Sequence, residues 1–255
     1  MSRLDLGALV DTWERTTARG NKMTRNLQLG MGGTGSAALI ENNEVSYTNN
    51  PQMIEYGWAT GGTKWHGTQN LVARGNFIHH NNGPGLWTDI DNIYVLFENN
   101  RVEDNSRAGI YHEVGYDAII RNNTSARNGS GFLPSELGLR GGGIAIRGSQ
   151  NVEIYGNTLT NNRAGFDISQ NVTRTGKYGP NEVKNVYVHD NTVRMPKNPG
   201  TPSRCLRGRG GLQGDRGADH GGGCRRTGGV GPVSIPVVGA RIGRSATRGA
   251  KERGG

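Results

Sequence analysis

Apolar and polar residues alternate in short runs along most of this chain, and the runs recur at a regular distance. Gly85-Leu86-Trp87-Thr88-Asp89 is answered 24 residues later by Gly109-Ile110-Tyr111-His112-Glu113. A period of two predicts a strand with one face inward. Leu86, Thr88, Ile110 and His112 then point in, and Trp87, Asp89, Tyr111 and Glu113 point out. Gly143-Ile144-Ala145-Ile146, Asn151-Val152-Glu153-Ile154 and Val186-Tyr187-Val188 alternate in the same way. A β-rich run follows each of the first two strands and closes on Asn-Asn, at Asn99-Asn100 and Asn122-Asn123. Short strands repeating at this distance, with Gly at one corner and Asn at another, predict a parallel β-solenoid.

Six asparagines mark one corner: Asn43, Asn76, Asn100, Asn123, Asn157 and Asn191, at spacings of 33, 24, 23, 34 and 34. The short spacings give the bare coil; the long ones predict insertions at turns, within Thr48 to Thr63, around Gly131 to Gly138, and within Gln170 to Val183. Asn tolerates left-handed backbone and bonds to nearby backbone groups, and when stacked once per coil it can bond along the axis. The expected role of all six is a structural ladder. The fold class is therefore all-β: a single-stranded parallel β-helix of about six coils over residues 21–198. Residues 1–20, with Leu4, Leu6, Leu9, Val10 and Trp13, are expected to form a short capping helix or an unstructured leader.

Composition changes the picture at the C-terminal end. All 26 Asn lie at or before Asn198, while residues 201–255 hold 16 Gly and no aromatic residue. That segment carries 11 Lys+Arg against 3 Asp+Glu, or +8 of the formal +9; the first 200 residues carry 19 against 18. Residues 199–255 are expected to be an unstructured Gly/Arg-rich tail or the product of a shifted reading frame. Because the solenoid is nearly neutral, no nucleic-acid partner is expected. Cys205 and Cys224, with His220 nearby, do not make a recognised zinc spacing and are read as incidental. There is no apolar run long enough to predict a membrane span, and no signal peptide is legible.

The motifs GLWTD, GIYHE, GIAI, NVEIYGNTLTNN (151–162) and NVYVHDNTV (185–193), with TGGTKW (60–65) and YDAIIRNN (116–123), resemble the right-handed parallel β-helix family, the pectate-lyase-like superfamily. The resemblance implies a right-handed coil like those of bacterial β-helix proteins predicted to be exported and to act on or bind polysaccharide. On that basis an extracellular or periplasmic setting is expected. The repeats specify fold far more than activity, because lyases, hydrolases, epimerases and inert binding proteins share it.

Counting back from the corner Asn aligns Lys64, Asp89, Glu113 and Arg147 as one outward column. Trp87 and Tyr111 stand beside it, and His66 and Asp91 lie two positions further along. Charge flanked by aromatics suits a sugar-binding cleft. In one reading Lys64, Asp89 and Glu113 are catalytic, with Lys64 as the base of a polysaccharide lyase, and Trp87, Tyr111, Arg147 and His66 bind an acidic polysaccharide. Asp89, Asp91 and Glu113 could hold calcium through oxygen ligands; lyases of the superfamily combine such ligands with a Lys or Arg base, as the resemblance implies. Asp89 and Glu113 could instead be the pair of a glycoside hydrolase, or the column could be ordinary cross-strand pairing on a non-catalytic solenoid. His112, facing inward, is expected to be a satisfied core histidine.

Overall fold

The computed structural model describes residues 14–50, 59–131, 141–170 and 174–195, together with the backbone of Ala8–Leu9. The chain winds through three parallel sheets of seven strands each, visiting them in turn. The first sheet holds Ala8–Leu9, Leu29–Gly33, Gly61–Trp65, Leu86–Asp89, Ile110–Glu113, Gly142–Arg147 and Ala164–Ser169. The second runs from Thr17–Arg19 to Lys184–His189, the third from Lys22–Thr24 to Thr192–Arg194. Seven rungs replace the expected six. Ala8–Leu9 and Thr17–Arg19 are strands, so winding starts ahead of Asn21 and takes up residues expected in a helix or leader. Residues 51–58, 132–140 and 196–255 lie outside the described residues, and with them much of two expected insertions and the tail. No helix among the described residues is long and apolar enough to cross a membrane.

Register makes the core. Leu86, Ile110 and Ile144 pair in line, as do Thr88, His112 and Ile146, and all six are buried. Phe97, Ile120 and Ile154 stack inside the second sheet, and Val45, Ile78, Val102 and Leu159 inside the third. Each such side chain contributes about 1.5–3 kcal/mol by leaving water. On the last coil the stacked positions Ile168, Val188 and Val193 are exposed, because no further rung lies above them among the described residues.

The Asn ladder is present and one residue longer than expected, running Asn21, Asn43, Asn76, Asn100, Asn123, Asn157, Asn191. At each inner step the amide oxygen accepts both the backbone N–H and the side-chain N–H of the Asn one coil back. The Asn100 amide and side chain, for example, both donate to Asn123 Oδ1 at 2.9 Å. The remaining side-chain N–H donates to a strand carbonyl, as Asn123 Nδ2 does to Phe97 O at 3.0 Å. Full use of a buried amide is what makes it tolerable in a core. The left-handed residue is the one before each ladder Asn: Gly20, Asn42, Gly75, Asn99, Asn122, Gly156 and Asp190 all have φ between 50° and 67°. This accounts for the Asn-Asn and Gly-Asn pairs in the sequence. A second ladder, Asn81–Asn105–Asn128–Asn162, closes the corner after the third sheet.

Replacing Asn123 with Leu removes partners from the Asn100 amide and the Phe97 carbonyl, and is expected to cost about 1–3 kcal/mol. The urea midpoint measures this; an unchanged midpoint would show that the amide column adds nothing to the stack.

Candidate functional site

The outer face of the first sheet brings the expected charges together, with a change of register. Asp89, Glu113 and Arg147 stand in line on adjacent strands. Lys64 does not join that line: Trp65 pairs with Thr88, which sets Lys64 beside Trp87. The next corner also differs in length between the two coils. The chain advances four positions from Trp65 to Gln69 but five from Thr88 to Ile93, although both pairs are in register. Ile90 and Asp91 absorb the surplus with left-handed backbone, at φ 60° and 56°. Val114, directly after Glu113, is also left-handed at φ 42°. Left-handed β-branched residues are uncommon and cost on the order of 1–3 kcal/mol. They follow both carboxyls.

Lys64 still reaches the cluster through its long side chain. Its ammonium lies 2.8 Å from Asp89 Oδ2 and 3.8 Å from the centre of the Trp87 ring. Arg147 Nη1 lies 3.4 Å from Glu113 Oε1. Tyr111 hydrogen-bonds both Glu113 and Arg147. The four charged side chains are only 12–18% exposed. The second sheet carries a contrasting ladder, in which Arg19, Arg74 and Arg121 pair with Glu41 and Glu98 while remaining 35–60% exposed themselves.

Glu41 on one ladder and Glu113 on the other respond in opposite directions. The Arg74 hydrogen bond holds Glu41 below its ordinary range. Burial pushes Glu113 up, and the neighbouring charge of Asp89 pushes it further, against the pull of Tyr111, Arg147 and Lys64. Burial and the charge of Glu113 also raise the Tyr111 phenol well above its usual value. An ordinary solubilising ion pair lowers a carboxyl; this cluster raises one.

Other expected roles need correction. Trp87 and Tyr111 point outward from the strand but are 2% and 1% exposed, stacked on each other at 5.7 Å and packed with Ala108 and Ala145. Their faces are used within the protein, so they do not wall a sugar cleft. Lys64 is committed to Asp89 and Trp87 in contacts that use its positive charge, which argues against a general base needing the lone pair. Asp91 turns to the corner, where Oδ1 accepts the Lys177 amide at 2.9 Å. His66 is exposed. No group of three His, Cys, Asp or Glu among the described residues converges as a cation site.

His112 lies in the core behind Glu113. Nε2 donates to Tyr116 O at 3.1 Å, which fixes the neutral tautomer and leaves Nδ1 to accept from the Thr88 hydroxyl at 2.8 Å. Burial lowers its pKa to about 4. Nothing in the residue pattern marks the left-handed backbone at Ile90 and Val114 or the contact between Asp91 and Lys177, 86 residues apart. The long spacing from Asn157 to Asn191 was the only available signal for the latter.

Comparison with known proteins agrees with this architecture. The profile of the right-handed β-helix region matches residues 6–136, just over half the chain. The protein belongs to that family. No curated protein and no solved structure matches the sequence.

Because His112 is held neutral when folded, the unfolded chain takes up a proton first as pH falls. Its contribution to stability is whole above the unfolded pKa of about 6.5 and is lost as pH drops towards 4, a loss of about 3 kcal/mol. Urea midpoints across this window should fall in the wild type and fall less steeply in His112→Gln. Parallel curves would show that His112 is not the group responsible.

Proposed function

We propose that this β-helix protein is carbohydrate-active, engages an acidic polysaccharide along the outer face of the first sheet, and uses Glu113 and Asp89 as an acid–base pair. The observation that carries the reading is the raised Glu113 carboxyl beside Asp89. A carboxyl able to keep its proton can give it to the glycosidic oxygen as that bond breaks, while a neighbouring carboxylate attacks the anomeric carbon, to be displaced later by water, or activates water to attack it directly. Adjacent strands lie about 4.8 Å apart, close to the roughly 5–5.5 Å carboxyl separation of retaining glycosidases. Lys64 and Arg147 compensate charge at the pair's two sides, which supports an anionic sugar chain. Such a substrate would place the protein's work outside the cell or in the periplasm.

Elimination with Lys64 as base is the weaker reading, because the amine is engaged as a cation. Non-catalytic binding is the second reading, favoured by the mutual pairing of all four charges and by the buried rings of Trp87 and Tyr111.

Polyuronates incubated with the protein should yield new reducing ends without the ultraviolet absorbance of an unsaturated uronate. Glu113→Gln should lower kcat by about 10²–10⁴-fold with little change in KM. Activity should decline as pH rises through the elevated Glu113 pKa, since the acid form is the working one. A chelator should leave the rate unchanged. Ultraviolet absorbance abolished by Lys64→Ala would overturn this reading in favour of elimination; binding without cleavage would favour the non-catalytic solenoid.

A further inference from the structure

Within its last coil, between Ala164–Ser169 and Lys184–His189, the chain leaves the stack as a small antiparallel hairpin, Thr175–Gly176 against Gly179–Pro180, closed by the Asn181 amide bonding to Arg174 O at 2.8 Å. The hairpin lies back along the corner between the first and second sheets and touches one coil after another. Gln150 donates to Pro180 O at 2.9 Å, and the Tyr116 hydroxyl donates to Gly179 O at 2.7 Å. Gln69, 109 residues from its partner, donates to the Tyr178 hydroxyl at 2.8 Å. Tyr178 packs edge-on against Tyr116 at 5.3 Å.

Two further contacts fall on the corners that follow the carboxyl pair. Asp91 Oδ1 accepts the Lys177 amide at 2.9 Å. The Val114 carbonyl accepts the Asp91 amide at 3.1 Å and the side chain of buried Asn181 at 3.3 Å. Asn181 also donates to the Tyr116 hydroxyl at 3.1 Å. The left-handed residues Asp91 and Val114 are thus bonded to each other and to the hairpin, while the Ile90 amide donates to Glu113 O at 3.3 Å. Strained backbone persists where its surroundings over-determine it, and these bonds supply that constraint. The fit leaves no slack at Gly176. A Cβ there would stand 2.3 Å from Asp91 Oδ1 and 2.5 Å from the Tyr116 hydroxyl.

We propose that residues 174–181 are a positioning strap for the Asp89–Glu113 pair, with Asp91 and Asn181 as the positioning residues that fix the corners from which the two carboxyls emerge. This extends the acid–base reading above and takes its functional meaning from it. Among the described residues no hydrogen bond or ion pair joins the strap to either carboxyl; it acts through the backbone that carries them. Its sequence origin is the insertion that lengthens the last Asn spacing to 34 residues.

The test uses the full chain and four variants: Asp91→Ala, Asp91→Asn, Asn181→Ala and Gly176→Val. Glu113 is followed by carboxyl carbon NMR, which needs no turnover, and cleavage is followed by reducing ends. Asp91→Ala, Asn181→Ala and Gly176→Val should admit water to the cluster and move the Glu113 titration down towards the ordinary carboxylate range. Asp91→Asn, which keeps an oxygen for the Lys177 amide, should titrate like wild type. In the same three variants kcat should fall by about tenfold or more with KM changed less than about twofold. An unmoved Glu113 titration in folded Asp91→Ala and Asn181→Ala would overturn the strap. If Gly176→Val fails to fold, the Asp91 pair decides. A wild type that cleaves no glycan defeats the acid–base reading, and the Glu113 titration still decides whether the strap positions the pair.

Discussion

The bond from one asparagine amide to the next, repeated up the coil from Asn21 to Asn191, is the constraint on which the rest of this structure depends. Apolar stacking stabilises the solenoid more, at about 1.5–3 kcal/mol for each buried side chain against about 0.5–1.5 for each hydrogen bond. Yet rows of Ile, Val and Leu tolerate small axial slips, and a buried amide does not. A slip of one residue would turn every strand's inner face outward and leave each Asn with unsatisfied donors in a dry interior. The apolar stack supplies most of the stability, and the ladder selects the register. The left-handed residue before each Asn turns the chain so that the next amide lands on the last.

With register fixed, neighbouring coils present side chains at a constant distance, and local departures become the features that matter. The extra residue after Asp89 is one. It forces Ile90 and Asp91 into left-handed backbone, beside a strand whose register sets Lys64 against the Trp87 ring. The enclosed cluster that results differs from the exposed Arg–Glu ladder on the second sheet, although both are built from opposite charges on adjacent strands. Enclosure decides the sign. Exposed arginines hold Glu41 down, whereas burial and Asp89 together outweigh Arg147 and raise Glu113.

Much of this was legible in the sequence because solenoid rules are local. Alternation in GLWTD and GIYHE assigned every face correctly, including inward His112, and the Asn spacing located the coils. The errors came from effects that counting does not see. Lys64 was misplaced by two positions: counting back from the corner Asn put it beside Asp89, whereas strand pairing puts it beside Trp87. Trp87 and Tyr111 were read as open walls because outward was taken to mean exposed, yet the two rings bury one another. Asp91 was assigned to the carboxyl cluster by proximity in sequence, while its side chain is held by Lys177 across 86 residues. The spacing of Leu4, Leu6, Leu9, Val10 and Trp13 suggested a short amphipathic helix or a leader, but the backbone of Ala8 and Leu9 pairs with Met31 and Gly32 as the first rung. Strand pairing overrode helical propensity there.

The central functional claim concerns where a glycan meets this coil. The most direct test is a crystal structure of full-length Glu113→Gln with an acidic oligosaccharide. The account predicts a sugar chain on the outer face of the first sheet, with a glycosidic oxygen within about 2.6–3.2 Å of the side chain at position 113 and Asp89 on the neighbouring strand facing the same sugar. Sugar bound to another sheet, or lying on the first sheet with no glycosidic oxygen near position 113, would contradict it.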